Sequence, residues 1–583
     1  MPGAILSGLD PEQRAVAEVM RGAVCVLAGA GTGKTRAITY RIAHAIQTGA
    51  VDPRHVLAVT FTTRAAGELR ARLQTLGGSG ADRVHARTFH AAALRQLVYF
   101  WPAAVGGEPP RVIDSKLGIV AAAARTLGLK LDAAGLRDAA TEIEWAKALQ
   151  SRPEDFVATA ERASRAPPVP VEAMAKLFDA YERLRRDRHV LDFESMLELT
   201  AGILAEDSAA AAQVRDQYRY FVVDEYQDIN PLQKLLLDTW LGGRDDLCVV
   251  GDPNQTIYSF TGATPAFLTS FTAQYPDATV IRLVRDYRST PQVVELANRL
   301  VARSPGAELV AQRPDGPPPA FAEYPDEAAE AAAVAAQARD LIDHGLAAKQ
   351  IAVLVRTNAQ TAVFERALHA AGVPYAVHGT ERFFDRPEVR QAIVALRAAA
   401  KSHEPAPAAA VTHVLFGLGM TPAPPPTGGA TRARWESLAA LAQLAADLFG
   451  ARPDATLADL ADELANRAQM QHAPALDGVT IASLHAAKGL EWDAVFLPTL
   501  VDGVIPIVYA RTREAIDEER RLLYVAITRA RERLLLSWSM ARSPGARRSR
   551  RPSPFLQPLL HPNGSRGLSR SRRAGAGGEQ DDQ

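Results

Sequence analysis

Short apolar runs alternate with longer amphipathic stretches early in the chain. Val24-Cys25-Val26-Leu27 is one such run, ending in glycines, and Val56-Leu57-Ala58-Val59 is another. Both are short, valine-rich and followed by a helical pattern, which predicts strand–helix units of a parallel sheet. From residue 91 to about residue 190 the pattern changes to helices rich in Ala, Leu and Glu. Strand character returns at Tyr220-Phe221-Val222-Val223 and at Leu247-Cys248-Val249-Val250. A helical block is therefore expected inside an α/β domain. A second α/β region begins near Arg285, with strands at Ile351-Ala352-Val353-Leu354 and Ala494-Val495-Phe496-Leu497. Another helical block separates them, and the prolines and glycines of residues 421–429 predict a loop within it.

The expected organisation is an α/β protein of two domains, each interrupted by a mainly helical insertion. The first domain comprises residues 1–92 and 191–284, with its insertion at 93–190. The second comprises residues 285–386 and 475–540, with a short insertion at 387–474. Residues 541–583 are rich in Arg, Ser, Pro and Gly, and read as a disordered tail. Its arginines, Arg542, Arg547, Arg548, Arg550, Arg551, Arg566, Arg570, Arg572 and Arg573, suit a solvated end better than a phosphate-binding one.

A length of 583 residues fits several domains, and 47% hydrophobic with 23% charged residues is an ordinary globular balance. No apolar stretch is long enough to span a membrane, and the N-terminus lacks a secretory pattern, so a cytoplasmic location and no membrane partner are expected. Cys25 and Cys248 lie in strand runs and read as small core residues. The formal net charge is zero, which leaves a local nucleic-acid groove open.

The strongest chemical signal is Ala28-Gly29-Ala30-Gly31-Thr32-Gly33-Lys34-Thr35, between a strand and a helix. Small residues let backbone N–H groups approach phosphates, Lys34 brings charge to the β/γ-phosphates, and the Thr35 hydroxyl suits magnesium. The second signal is Asp224-Glu225, directly after a strand. Beside a P-loop, Asp224 would hold magnesium with Thr35, and Glu225 would polarise the attacking water. ATP and Mg²⁺ are thus the expected cofactors.

Further blocks carry a resemblance. Asp224-Glu225-Tyr226-Gln227-Asp228, Val250-Gly251-Asp252-Pro253-Asn254-Gln255-Thr256-Ile257-Tyr258 and Asp286-Tyr287-Arg288-Ser289-Thr290 are similar to the UvrD/Rep/PcrA helicases. Leu9-Asp10-Pro11-Glu12-Gln13, Thr60-Phe61-Thr62-Thr63, Thr88-Phe89-His90, residues 351–360, Leu484-His485-Ala486-Ala487-Lys488-Gly489-Leu490-Glu491 and residues 518–531 follow in the family's order. The chain most resembles a shorter, second type of UvrD-like helicase of high-GC bacteria. The resemblance implies two RecA-like P-loop domains and an ATP-dependent 3′-to-5′ DNA helicase or single-strand translocase, acting in repair or replication. It implies that Gln13 reads the adenine edge, that Arg36 and Tyr287 sandwich the base, and that Glu491 meets the ribose. Gln255, Arg288 and Arg529 would reach the γ-phosphate. For the DNA track it implies Phe61, Thr88, His90, Tyr258, Phe260, Arg356, Asn358 and His485, with stacking as the main grip.

Two departures bear on function. The block Phe260-Thr261-Gly262-Ala263 has Thr261 where the family has arginine, and the second insertion is short. Single strands and 3′-tailed DNA are the expected partners, and a protein that stimulates unwinding is a further one. A nonmotor binding protein with a dead P-loop is the competing class, which intact Lys34, Thr35, Asp224, Glu225 and Arg529 oppose. The residues alone accommodate DNA or RNA as track; DNA comes from the resemblance.

Overall fold

The computed structural model describes residues 2–76, 80–302, 304, 306–357, 360–378, 384, 386–400, 407–423, 430–452, 454–470, 478–508, 510–542 and 544–560. Its frame is two six-stranded parallel sheets. The first is built from β1 (Val24–Ala28), β2 (Val56–Thr60), β3 (His85–Thr88), β4 (Tyr220–Val223), β5 (Leu247–Gly251) and β6 (Thr279–Leu283), in the order β3-β2-β4-β5-β1-β6. The second is built from β7 (Ala320–Tyr324), β8 (Ile351–Val355), β9 (Tyr375–His378), β10 (Val479–Ser483), β11 (Trp492–Leu497) and β12 (Ala530–Ser539), in the order β7-β12-β11-β8-β10-β9. Central strands such as β2 and β8 are buried at every position, as strands covered by helices on both faces must be.

Helices α1 (Pro11–Glu18), α2 (Lys34–Gln47), α3 (Thr63–Leu76), α4 (Phe89–Ala104), α5 (Phe193–Glu206) and α6 (Pro231–Leu241) flank the first sheet. Helix α7 (Arg513–Ile527) belongs to the second and reaches the loop after β5. Asp10 and Thr88 start α1 and α4 by accepting backbone N–H bonds, and Asn230 with Gln233 forms a capping box on α6.

The break expected between residues 92 and 93 falls inside a continuous helix. The buried face of α4, with Phe89, Gln96, Leu97 and Trp101, packs into the core of the first domain. Phe89 stacks on Trp240 with ring centroids 5.9 Å apart, and Trp240 Nε1 donates to Gln96 Oε1 at 2.8 Å. The helical insertion proper has its own core around Ile143, Phe156, Phe178 and Tyr181. In the second insertion, helices Pro387–Ala399, Pro407–Gly417, Ala430–Ala451 and Leu457–Met470 pack around Leu396, Leu415, Leu438 and Leu460. Of the loop expected at 421–429, residues 424–429 lie outside the described residues.

The tail reading needs correction for residues 544–560. Phe555, Leu556 and Leu559 are buried in the core of the second domain. Ser553 N donates to Leu500 O at 2.9 Å, and Arg550 pairs with Glu327 at 2.7 Å. The Arg/Ser/Pro/Gly composition masks a short apolar anchor, and burying three large side chains outweighs the cost of ordering a proline-stiffened segment. Residues 561–583 lie outside the described residues.

Candidate active site between the two sheets

Strands β4, β5 and β1 are neighbours, and their carboxyl ends carry Asp224-Glu225, Gln255 and the P-loop. Ligands of open parallel sheets sit at this edge. The P-loop turns through Gly31 and Gly33, whose φ angles are +69° and +76°. A Cβ on Gly31 would lie 2.5 Å from Asp286 Oδ1, and one on Gly33 2.7 Å from Gln13 Nε2. Both positions therefore require glycine, for backbone shape and for close approach. Ala28 ends β1 within the core, where a methyl group fits. Thr32 Oγ1 donates back to Gly29 O at 2.9 Å, and Lys34 Nζ reaches Ala28 O and Gly29 O at 3.2 and 3.3 Å. Helix α2 starts at Lys34, so its N-terminus faces the same loop.

Thr35 Oγ1 lies 3.4 Å from Asp224 Oδ2. Burial, then the neighbouring Glu225, pushes the Asp224 carboxyl up to about 7, against the pull of Lys34. A hydroxyl beside a buried carboxylate short of positive charge is the hard-oxygen donor set a magnesium ion takes. Glu225 adopts the left-handed conformation with φ +52°, a strain of roughly 1–3 kcal/mol that aims its side chain. Burial opposes its charge, but Lys34, Lys488, the Gln227 amide and Arg529 outweigh that and hold it below the usual range.

Gln255 is buried and donates from Nε2 to Asp252 Oδ2 at 2.8 Å. Gln227 Nε2 donates to Glu225 Oε2 at 2.5 Å, while its Oε1 accepts from Asp252 N at 3.0 Å. A single polar network thus joins the loops after β4 and β5.

The second domain supplies the other wall. Asp286 Oδ1 accepts from Arg288 N and Ser289 N at 2.6 and 2.8 Å, and Tyr287 N donates to Gly31 O at 3.0 Å. Arg288 pairs with Glu491 and donates from Nη1 to Thr528 O at 3.2 Å. Glu491 also binds Arg531, so its ribose role would compete with two arginines. Arg529 is 2% exposed and donates to Val525 O, Leu490 O and Thr528 Oγ1. Burial, then Arg288, lowers its guanidinium to about 9, with Glu491 and Glu225 opposing. On the adenine side, Gln13 Nε2 donates to Thr32 O at 3.0 Å, and Tyr287 Oη donates to Asp10 Oδ2 at 2.7 Å. Arg36 donates to Gly8 O at 2.8 Å and lies 5.2 Å from the Tyr40 ring.

The aromatic residues form a cluster across the two domains. Phe61 stacks on Tyr258 with centroids 5.6 Å apart and planes 14° apart. Phe260 meets Tyr258 at 6.1 Å, and His485 of the second domain meets Phe260 at 5.9 Å and Tyr258 at 6.4 Å. Phe61 and Phe260 are 41% and 42% exposed, leaving faces for bases to stack on. Thr88 and His90 lie at the carboxyl end of neighbouring β3, where Thr88 Oγ1 accepts from Ala91 N at 3.1 Å and His90 packs edge-on against Phe193 at 5.7 Å. Arg356 is turned into the second domain, where Nη2 and Nε donate to Glu519 at 2.6 and 3.0 Å. Asn358 lies outside the described residues.

Residues 9–276 match the UvrD/REP helicase N-terminal domain, and residues 281–421 and 425–541 match the UvrD-like helicase C-terminal domain. The chain belongs to the UvrD/REP helicase family. Like other members it is an enzyme with RecA-like P-loop folds. It is 50% identical to the ATP-dependent DNA helicase UvrD2 of Mycobacterium tuberculosis, over 98% of this chain and 85% of that protein. It is 28% identical to UvrD1 of the same organism, over 96% of this chain and 84% of that protein. Identity to PcrA of Bacillus subtilis is 26%, over 91% of this chain and 83% of that protein.

The site of this UvrD/REP helicase also holds residues that sequence reasoning left without a role. Lys488 Nζ binds the Asp228 carboxylate, donates to Gln255 O at 2.7 Å and sits 5.0 Å from the Tyr258 ring. Arg521 Nε donates to Thr256 O at 2.8 Å, and Glu518 accepts from Ser259 N at 2.9 Å. All three lie in blocks that carry the resemblance, but only the approach of the domains reveals what they touch.

Proposed function

We propose that this helicase hydrolyses ATP to move 3′-to-5′ along single-stranded DNA, in repair or replication within the cytoplasm. The observation that carries the reading is the short path from Gln255 to the aromatic cluster. The Gln255 side chain belongs to the polar network around Glu225, its carbonyl is held by Lys488, and Lys488 lies against Tyr258. ATP bound at the P-loop would have its γ-phosphate near Lys34, Gln255, Arg288 and Arg529. Glu225 is held ionised and aimed, as an acceptor for a proton of the attacking water must be. Thr35 and Asp224 would hold the Mg²⁺ that neutralises phosphate charge. Loss of the γ-phosphate removes the bond between the two walls, so a strand stacked across Phe61, Tyr258, Phe260 and His485 is stepped with each cycle.

Weak unwinding without a protein partner is a second part of the proposal. Thr261 replaces the family arginine, and its hydroxyl donates to Tyr258 O at 2.8 Å within its own loop. At this loop the contact with the second domain is made by Ser259, whose backbone N–H donates to Glu518, and not by a side chain at position 261. The test is strand displacement on duplexes with a 3′ or a 5′ tail, beside displacement of a protein bound to a 3′-tailed single strand. Protein displacement and 3′-dependent opening of short duplexes are expected. Equal opening from 5′ tails would refute the polarity, and unaided unwinding of several hundred base pairs would refute the weak-unwinding reading.

A further inference from the structure

A cavity of about 690 Å³ opens on the outer edge of the first sheet, beside β3. Arg54 and His55 precede β2 and Gln217 precedes β4, so the cavity lies toward the amino ends of the strands. The ATP loops follow the carboxyl ends. Its walls are basic: Arg54, Arg70, Arg83 and Arg87 line it, with His55 and His85, against the single carboxylate of Asp82.

Arg54 is already neutralised by Asp52 at 2.7 Å. The others are not. Among the described residues, Arg70, Arg83, Arg87 and the nearby Arg95 have no ion-pair partner. Arg70 has only a long bond to Ala86 O at 3.5 Å. Arg87 Nε is buried and without an acceptor. Along β3 the side chains alternate, so His85 and Arg87 share one face while Ala86 enters the core. His85 is set edge-on against Tyr218 at 5.3 Å, which fixes the wall beside Arg87. Burial and mutual repulsion among Arg87, Arg95 and Arg70 lower the Arg87 guanidinium, and burial, then Arg87 and Arg95, lowers His85. Guarding an edge strand against pairing needs only a charge in solvent. It does not account for a buried guanidinium nitrogen lacking an acceptor, in a cavity of this size.

We propose that this pocket binds a phosphate-bearing ligand, with the DNA backbone as its source, at a site separate from the ATP cleft. Guanidinium groups converging from α3, the turn before β3 and β3 itself offer several N–H donors to one or two phosphates. Arg70 and Arg83 are exposed, so R70A/R83A should fold, and R87Q tests the half-buried member. Two measurements are made on the full chain: the salt dependence of binding to a 3′-tailed duplex, and the thermal shift given by inorganic pyrophosphate. The variants should flatten the slope of log K against log salt by about 0.9 for each duplex phosphate they no longer hold. They should also lose part of the pyrophosphate shift, while ATPase stimulated by a short single strand stays within about twofold. Loss of the pyrophosphate shift with an unchanged DNA slope keeps the pocket and moves its source to a free phosphate or nucleotide. An unchanged slope together with an unchanged pyrophosphate shift in both variants overturns the proposal.

Discussion

The two sheets share strand number and direction, yet they carry different chemistry. In the first, the carboxyl ends of three adjacent strands hold a P-loop, an acidic pair and Gln255. In the second, the corresponding edge leads into Arg356, His485 and the loop that begins at Pro498, with no P-loop motif in the sequence. Its contribution comes from Asp286, which lies against Gly31 of the P-loop, and from Arg529, which is within electrostatic reach of Glu225. The scaffold positions loops, and loop residues decide which chemistry a sheet's edge can carry. The second sheet's aromatic contact, His485, and its cation, Lys488, meet Phe260 and Tyr258 of the first domain.

Substitutions on opposite walls sharpen that contrast. Lys34→Ala should abolish ATP turnover. Arg529→Ala should lower turnover by roughly 10³–10⁵ while ATP binding survives, because its charge matters most in the transition state. Steady-state ATPase beside equilibrium nucleotide binding separates the two. Normal turnover in the Arg529 variant would mean that Arg529 takes no part in the chemistry.

Truncation probes how each domain is completed. Ending the chain after Ser539 removes Phe555, Leu556 and Leu559 from the second core. At ~1.5–3 kcal/mol for each buried side chain, the second domain should lose on the order of 5 kcal/mol. Ending it after Leu560 should leave stability unchanged. If the arginines beyond touch DNA, that shorter cut would still flatten the single-strand salt slope by about 0.7 for each phosphate they hold. Equal melting curves for the two truncations would refute the anchor.

The smallest effect concerns His485. Burial, then Arg356 and Lys488, holds it down to about 4. An unfolded histidine titrates near ~6.5, so unfolding takes up a proton between these values. The stability from neutral His485 is therefore present above pH ~6.5 and is lost as the pH falls toward 4. Across that window His485→Gln should flatten the acid limb of the stability curve by about 1–3 kcal/mol. An unchanged limb would show that His485 is free to protonate, and that the second sheet's edge is wetter than its burial implies.

Much of the frame could be read from residue order alone. Runs such as Val24-Cys25-Val26-Leu27 and Ile351-Ala352-Val353-Leu354 are short, apolar throughout and rich in β-branched residues, as strands of a helix-covered parallel sheet are. Gly31, Gly33 and Lys34 between strand and helix define a phosphate loop through backbone geometry and charge, both local properties. Elsewhere local pattern misled. The change of composition near residue 92 hid a helix that continues to Ala104, because its partner, Trp240, lies far along the chain. The arginines of residues 541–560 hid an apolar anchor whose cavity is made by other segments.

Residue order by itself determined which side chains can bind phosphate, acidic or aromatic partners, since motif spacing is set by the strand and helix repeat. Tertiary structure alone decided who meets whom. Lys488 finds Asp228 and Gln255 across a domain cleft, and Arg356 is turned to Glu519. Arg87 and Arg70 converge on a cavity distant from the ATP loops. The physical reason is reach. Hydrogen bonds, ion pairs and stacking act over a few ångströms, so contacts between residues hundreds of positions apart exist only once two sheets and their loops are packed.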